Sequence, residues 1–448
     1  MEENYHASHR SLSFVPDWSK EKVPSPRMRL TPGLYQLQHW QTALQTLKAS
    51  QLKHLADATG LRAAGPKADL IARIESELTV GHDHLFGMAM GPLGGVSGEK
   101  KGDVRTKGKR TGNGEMRILS IDMGIRNLAF AHLVYVPRSV PAASKPKKQS
   151  GLSRGTATLT AWRRIDLTAP SLESSDPSLF RAEGVCPKEM IQPIIPVEGS
   201  KQPPDFYLPL YAQHANTLLT TLLATYKPTH ILIERQRFRS GGGSAVQEWS
   251  LRVGCFEAML WAVLYAMARE RLSVPSVSFD DVPKVRGVEP SRIVRYWGAR
   301  SGAESFPDDD GSEGVSADDA VVQDSPKKTK GRTKSGKRNE PDAKKIRIDL
   351  AGSWLDKAQS GSGTGKETTD GLSTTFAFSE REAELQDNVQ HFSNKWHGIR
   401  RKKGDKDIGK LDDLADCLVQ GMTWLEWQVA KERIVNEGPK LLLEESES

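Results

Sequence analysis

Cysteine is almost missing from this chain: Cys186, Cys255 and Cys417 are the only three in 448 residues, and no CxxC pair occurs. An odd, scattered set excludes a disulfide framework and a zinc knuckle, and it fits a reducing compartment. Cys255 and Cys417 fall in apolar helical patterns, where small buried side chains are expected. Hydrophobic residues are also scarce at 37%, against 27% charged, which predicts disordered tracts beside a core. No run reaches the roughly 20 apolar residues that span a bilayer. The longest, Phe256 to Ala268, carries Glu257 and reads as a core helix, so no membrane partner is expected. The N-terminus has no secretory apolar region, and Glu2, Glu3, Asp17 and Glu21 make it a poor transit-peptide signal. What the chain has instead is length for more than one domain, a net charge of +7 and a pI near 9.1. A basic excess suits a polyanionic partner where it is clustered.

The first organised unit lies at residues 41–80, after a flexible segment at 1–40. Leu44, Leu47, Leu52 and Leu55 share one helix face, and Leu70, Ile71, Ile74 and Leu78 share a second. Between them TGLRAAGPKAD supplies a glycine stop and a Gly-Pro start. The paired leucines, Gly60-Leu61, Gly65, Lys67 and Leu70-Ile71 resemble a SAP domain, which implies DNA binding with Lys67 as a contact. A helical hairpin used for protein contacts is the competing reading. Residues 81–114 are rich in Gly, Lys and Arg and read as a basic linker.

A larger α/β unit is expected over residues 115–435, followed by a tail at 436–448. Its strands are ILSID, LAFAHLVYV, TLTAWRRIDL, THILIE and a fifth at Ser276 to Val282. Helices are expected at Tyr207 to Tyr226, Gln247 to Arg271, Ser291 to Trp297, Ala343 to Lys357 and about Leu411 to Val435. Low-complexity insertions interrupt it near 138–156, 300–342 and 358–376. A hairpin run of three strands followed by α–β–α–β–α predicts an RNase H-like fold, a mixed five-stranded sheet flanked by helices.

Acidic residues gather at three places in this unit. Asp122 ends ILSID and Glu234 ends HILIE, both at the tips of apolar strands. Asp412, Asp413 and Asp416 open the last helix, where spacings of three and four put Asp416 on one face with either neighbour. Turn capping could explain Asp122, an ion pair with Arg235 or Arg237 could explain Glu234, and the helix dipole could explain one or two of the aspartates. None of these explains all five. Like charges brought together raise each other's pKa, so convergence requires a cation between them. Oxygen ligands with no His in the motifs favour Mg²⁺ or Mn²⁺ over zinc, and two such ions about 4 Å apart suit phosphodiester cleavage.

DMGIRNLAF, IERQRFRSGG and KLDDLADCLVQGMTWLEW resemble the three active-site motifs of the fungal mitochondrial Holliday-junction resolvases, in the RuvC-like branch of the RNase H-like superfamily. The likeness covers roughly Arg117 to Ala430. It implies a mitochondrial endonuclease acting on four-way junction DNA with no small-molecule cofactor. It also implies Asp122, Glu234, Asp412 and Asp416 as metal-binding catalytic residues, with Asp413 an alternative ligand.

The flanks fit such a substrate. Gln236, Arg237 and Arg239 supply phosphate donors, and Gly241 to Gly243 let a strand approach the backbone. Lys402, Lys403, Lys406 and Lys410 form a basic run before the acidic helix. Two symmetric nicks call for a two-fold dimer, and the helix from Gln247 has apolar residues around most of its circumference. An actin-like ATPase, the rival reading of the AspXGly turn at Asp122, would leave the acidic cluster at Asp412, Asp413 and Asp416 unexplained. A noncatalytic DNA-binding protein, or another RNase H-like nuclease, is the alternative. Nothing in the sequence selects a cleavage dinucleotide.

Overall fold

Ile118, Leu119, Ser120 and Ile121 are all sealed from solvent, as befits a strand covered on both faces. They lie in β1 (Met116–Asp122), the strand about which the larger unit is arranged. The computed structural model describes residues 40–79, 115–138, 155–169, 172–180, 207–236, 248–273, 282–300, 343–360, 372–399 and 410–447. β1 pairs antiparallel with β2 (Leu128–Pro137), which pairs antiparallel with β3 (Gly155–Ile165). On its other side β1 runs parallel to β4 (His230–Glu234), and β4 runs parallel to β5 (Lys284–Val288). A sixth strand, β6 (Thr375–Phe378), lies parallel to β3, giving the order β5-β4-β1-β2-β3-β6. A meander of three strands continued by two parallel strands is the RNase H-like arrangement.

Two details depart from the sequence reading. The sheet has six strands rather than five, because TFAF emerges inside the stretch expected as the insertion at 358–376. The strand beside β4 is KVRGV, which the sequence reading did not include; the strand expected at Ser276 to Val282 lies, but for Val282, outside the described residues. KVRGV is an edge strand, so its lysine and arginine reach solvent without cost.

Side chains on alternate positions of β1 serve opposite faces. Leu119 and Ile121 pack with α3 (Leu208–Tyr226) and α4 (Glu248–Leu272). Ile118 packs with α5 (Pro290–Arg300), α6 (Ala343–Gln359), α7 (Ala383–Trp396) and α8 (Leu411–Glu437). α8 is buried on nearly every side from Leu414 to Ile434. Gly421 allows that helix its approach to the sheet: a Cβ there would sit 2.8 Å from Leu133 Cδ1 and 3.2 Å from Ser120 Cβ. Glu426, fully buried in α8, accepts hydrogen bonds from the Ser373 backbone N–H, Ser373 Oγ and Thr374 Oγ1 and so fixes the entry to β6. Three bonds to one carboxylate satisfy a charge that burial alone would make costly.

α4 is long and apolar enough to cross a membrane by length and composition, which the count of uninterrupted apolar residues did not register. Its Val253, Phe256, Leu260, Leu264 and Ala268, spaced at three and four, seat it on the sheet. Trp249, Leu251 and Tyr265 remain exposed. Cys255 is also exposed, contrary to expectation, because it falls off that stripe; Cys417 is buried as expected.

The N-terminal unit comprises a helical segment at residues 40–46, α1 (Ala49–Ala58) and α2 (Lys67–Thr79). Its core of Trp40, Leu44, Leu52, Leu55, Leu70 and Ile74 is continuous with Ile434 of α8 and Leu443 of α9 (Pro439–Glu447). The stretch expected as a tail is thus a helix that joins the two units.

Candidate active site

The pairing register sets the site. Ile121 is the parallel partner of Ile233, so the next residues, Asp122 and Glu234, emerge side by side from the carboxyl ends of neighbouring strands about 4.8 Å apart. α8 supplies the third element. Trp162 of β3 donates from Nε1 to the Leu414 carbonyl (2.9 Å), fixing the first turn of the helix. One turn after Asp416, Gln420 donates to Ser120 Oγ (3.0 Å) and to the Ile121 carbonyl (3.2 Å). Asp416 is thereby held beside the end of β1. The three acidic segments do converge.

Their electrostatics record the crowding. Burial, followed by the charge and hydrogen bond of Glu234 and the charges of Asp416 and Asp413, holds Asp122 protonated well above the usual carboxylate range. Burial raises Asp416 to about 7, opposed by Arg347 and reinforced by Glu234, Asp412 and Asp413. Asp413 is raised to about 6 by burial and by Asp412. Three positive side chains answer this charge. Lys344 of α6 pairs with Asp412. Arg347, one turn further along α6, places Nε 3.1 Å from Asp416 Oδ1. Arg164 of β3 stands 3.8 Å from Asp413.

These pKa shifts predict a pH dependence. In the unfolded chain both aspartates ionise near 3.8, whereas the folded state keeps the Asp416 proton to about 7. The folded form binds more protons between those values, so these groups cost stability as pH rises through that window. Buried His132, lowered from 6.5 to about 4, works in the opposite sense. The clean readout is a comparison: from pH 5 to 8 in chelator, wild type should lose melting temperature relative to Asp416→Asn. Parallel curves for the two would remove the assigned burden from Asp416.

The donor set suits a hard divalent cation. It is all carboxylate oxygen, and Asp413 Oδ2 and Asp416 Oδ1 are buried without a hydrogen-bond partner; Arg347 approaches the latter off the hydrogen-bond direction. Among the described residues no three acidic, His or Cys side chains yet surround a common centre. Lys344 and Arg347 provide the positive charge instead.

Other expected residues are placed as follows. Arg235, an alternative ion-pair partner for Glu234, turns to Glu289 (3.2 Å). Gln236 is held through its backbone N–H by Glu257 Oε2 of α4 (3.1 Å). Lys410 is exposed at the N-cap position of α8, where its side chain makes no capping bond and its charge acts on Asp413. Lys67 is exposed at the start of α2 and donates to the Gln45 carbonyl, away from the carboxylates. Arg237, Arg239, Lys402, Lys403 and Lys406 lie outside the described residues. Sequence reasoning missed Lys344, Arg347, Arg164, Gln420 and Glu257. Gln420, four residues beyond Asp416 on an otherwise apolar face, and Glu257, the acid in an apolar run, were visible as anomalies. The cations of α6 carried no local signal.

Comparison with known proteins bears on this arrangement. Residues 118–434 match the family model described as mitochondrial resolvase Ydc2 / RNA splicing MRS1, and residues 43–79 match the SAP domain model. Over 93 residues the chain is 34% identical to Cruciform cutting endonuclease 1, mitochondrial, of Schizosaccharomyces pombe (strain 972 / ATCC 24843), covering 21% of this chain and 34% of that protein. The match thus spans about a third of that relative's length. Among solved structures, the yeast mitochondrial Holliday junction resolvase Ydc2 aligns over 88% of this chain and all of its own, with a TM-score of 0.43 and 19% identity. Thermus thermophilus RuvC aligns over 70% of this chain and 96% of its own, with a TM-score of 0.23 and 11% identity. With its family match running from β1 to the end of α8, the chain belongs to the mitochondrial resolvase Ydc2 / RNA splicing MRS1 family and carries a SAP domain ahead of it.

Proposed function

We propose that the chain is a mitochondrial, structure-selective endodeoxyribonuclease that resolves four-way DNA junctions by paired phosphodiester nicks. The observation that carries this reading is the meeting of Asp122, Glu234 and the acidic turn of α8 at one sheet edge, Asp122 buried and the others half-buried, with more carboxylates than cations. A noncatalytic binding protein gains nothing from that arrangement, which raises the carboxylate pKa values at the expense of stability.

Asp122, Glu234, Asp412 and Asp416 would hold divalent cations, Mg²⁺ or Mn²⁺ and two in number, with Asp413 the alternative to Asp412. Ions held there would supply water activation and charge stabilisation at the leaving 3′ oxygen. The chain's own contribution is placement. Gln420 ties α8 to β1, and Glu257 ties the start of the loop after Glu234 to α4. Gln236, Arg237 and Arg239 on that loop, with Lys402, Lys403, Lys406 and Lys410 before α8, would contact phosphates and fix register without reading sequence. Lys67 would add a contact from the SAP domain. A two-fold dimer would bring two such sites to one junction, and the exposed Trp249, Leu251 and Tyr265 of α4 offer an apolar surface for it.

The family description also names an RNA-splicing protein, so the test compares substrates. Purified protein should nick a synthetic four-way junction far faster than linear duplex or structured RNA of matched length. Equal cutting of linear duplex would indicate a general nuclease. Tight RNA binding without cleavage of any DNA would indicate the splicing branch.

A further inference from the structure

α6 and α8 face each other across the acidic site with matched spacing. Lys344 and Arg347 are one turn apart on α6, and Asp412 and Asp416 are one turn apart on α8. Each cation meets one carboxylate. The two cations differ in burial: the Lys344 side chain is 48% exposed, whereas that of Arg347 is 16% exposed. A lysine ammonium on a long flexible stem can leave its partner for water at little cost, whereas a guanidinium packed inside cannot.

We infer that Lys344 and Arg347 are built-in counter-ions of the acidic site, with distinct fates. Lys344 occupies Asp412 until a divalent cation arrives and is then displaced. Arg347 stays and positions Asp416. The inference rests on the metal-site reading proposed above. α6 thereby offsets part of the charge gathered at the site: Arg347 acts against the rise of Asp416, and Lys344 against that of Asp413.

A displaceable counter-ion competes with the metal, and this gives the test its sign. Mn²⁺ binding is measured calorimetrically on the full chain, for wild type, Lys344→Gln, Lys344→Arg and Asp122→Asn. Removing the competing charge should tighten Mn²⁺ binding on the order of tenfold in Lys344→Gln, while Lys344→Arg binds as wild type does. Without metal, Lys344→Gln should melt at a lower temperature than wild type, and saturating Mn²⁺ should close the gap. Unchanged or weaker Mn²⁺ binding in Lys344→Gln overturns the inference, since a lysine with a merely structural part would not oppose the metal. Failure of the underlying site reading looks different: wild type would show no saturable Mn²⁺ binding, or Asp122→Asn would bind as wild type does.

Discussion

Replacing Asp122 with Asn should lower junction cleavage by at least about three orders of magnitude while junction affinity stays within a few-fold of wild type. The expected loss is large because the side chain stands at the centre of the site, within hydrogen-bonding reach of Glu234 and in the field of Asp416 and Asp413. Losing a ligand that organises the cations forfeits several kcal/mol of transition-state stabilisation, and about 1.4 kcal/mol is tenfold in rate. Binding should survive because phosphate contacts from the basic segments are independent of this residue. The variant should be no less stable, since asparagine is nearly the shape of the protonated carboxyl and cannot ionise beside Glu234 and Asp416. Glu234→Gln should behave alike. Comparing Asp412→Asn with Asp413→Asn then separates the two candidate third ligands: the ligand should cost as much as Asp122, the bystander about tenfold or less. Cleavage by Asp122→Asn at the wild-type rate would remove the site from this sheet edge.

The second large effect concerns the SAP domain, which is joined to the nuclease unit by a shared core. Gly60 has φ of +72° and sits against the Trp427 ring of α8; a Cβ would lie 2.3 Å from its atoms. Around it, Arg292 of α5 donates to the Gly60 carbonyl (3.0 Å), Arg295 pairs with Asp57 (3.6 Å), and Lys431 of α8 pairs with Glu77 (3.0 Å). Burial lowers Lys431 to about 8 despite the Glu77 charge, so the pair is formed at a desolvation cost and steers the docking more than it strengthens it. Gly60→Ala adds left-handed strain of about 1–2 kcal/mol and overpacking of about 1–3 kcal/mol. We expect a drop of about 5–10 °C in melting temperature, with the domain released from α8. Differential scanning calorimetry reads it; an unchanged transition would mean that the contact does not hold. The same interface means that deleting residues 1–113 would do more than lower DNA affinity. That deletion uncovers Trp427, Ile434 and Leu443 and should cost stability as well.

The parts legible in sequence were those written locally. β1 and β4 show as apolar runs ending in an acid, and α8 shows its acidic first turn followed by an apolar helix. Once the strands are parallel neighbours, their ends must meet. Edge elements were harder to read. KVRGV carries charges because one side faces solvent, which hid it as a strand, and TFAF was lost at the end of a stretch rich in glycine, serine and threonine. Tertiary partners left no trace. Nothing near Lys344 or Arg347 marks them as facing Asp412 and Asp416, since those carboxylates lie far along the chain. The SAP pattern gave a domain but not its seat, because Trp427 and Ile434 read simply as helix core and Leu443 fell in the expected tail.

We propose that acidic residues from three segments, Asp122, Glu234, Asp416 and one of Asp412 and Asp413, hold the metal of a site that cuts branched DNA. The most direct measurement maps the nicks made in a synthetic four-way junction, at nucleotide resolution, with Mg²⁺ and with chelator. Paired nicks placed symmetrically across the junction, religated by ligase and absent in chelator, are the predicted result. Cleavage that persists without divalent metal, or a junction bound but never cut at any Mg²⁺ or Mn²⁺ concentration, would contradict it.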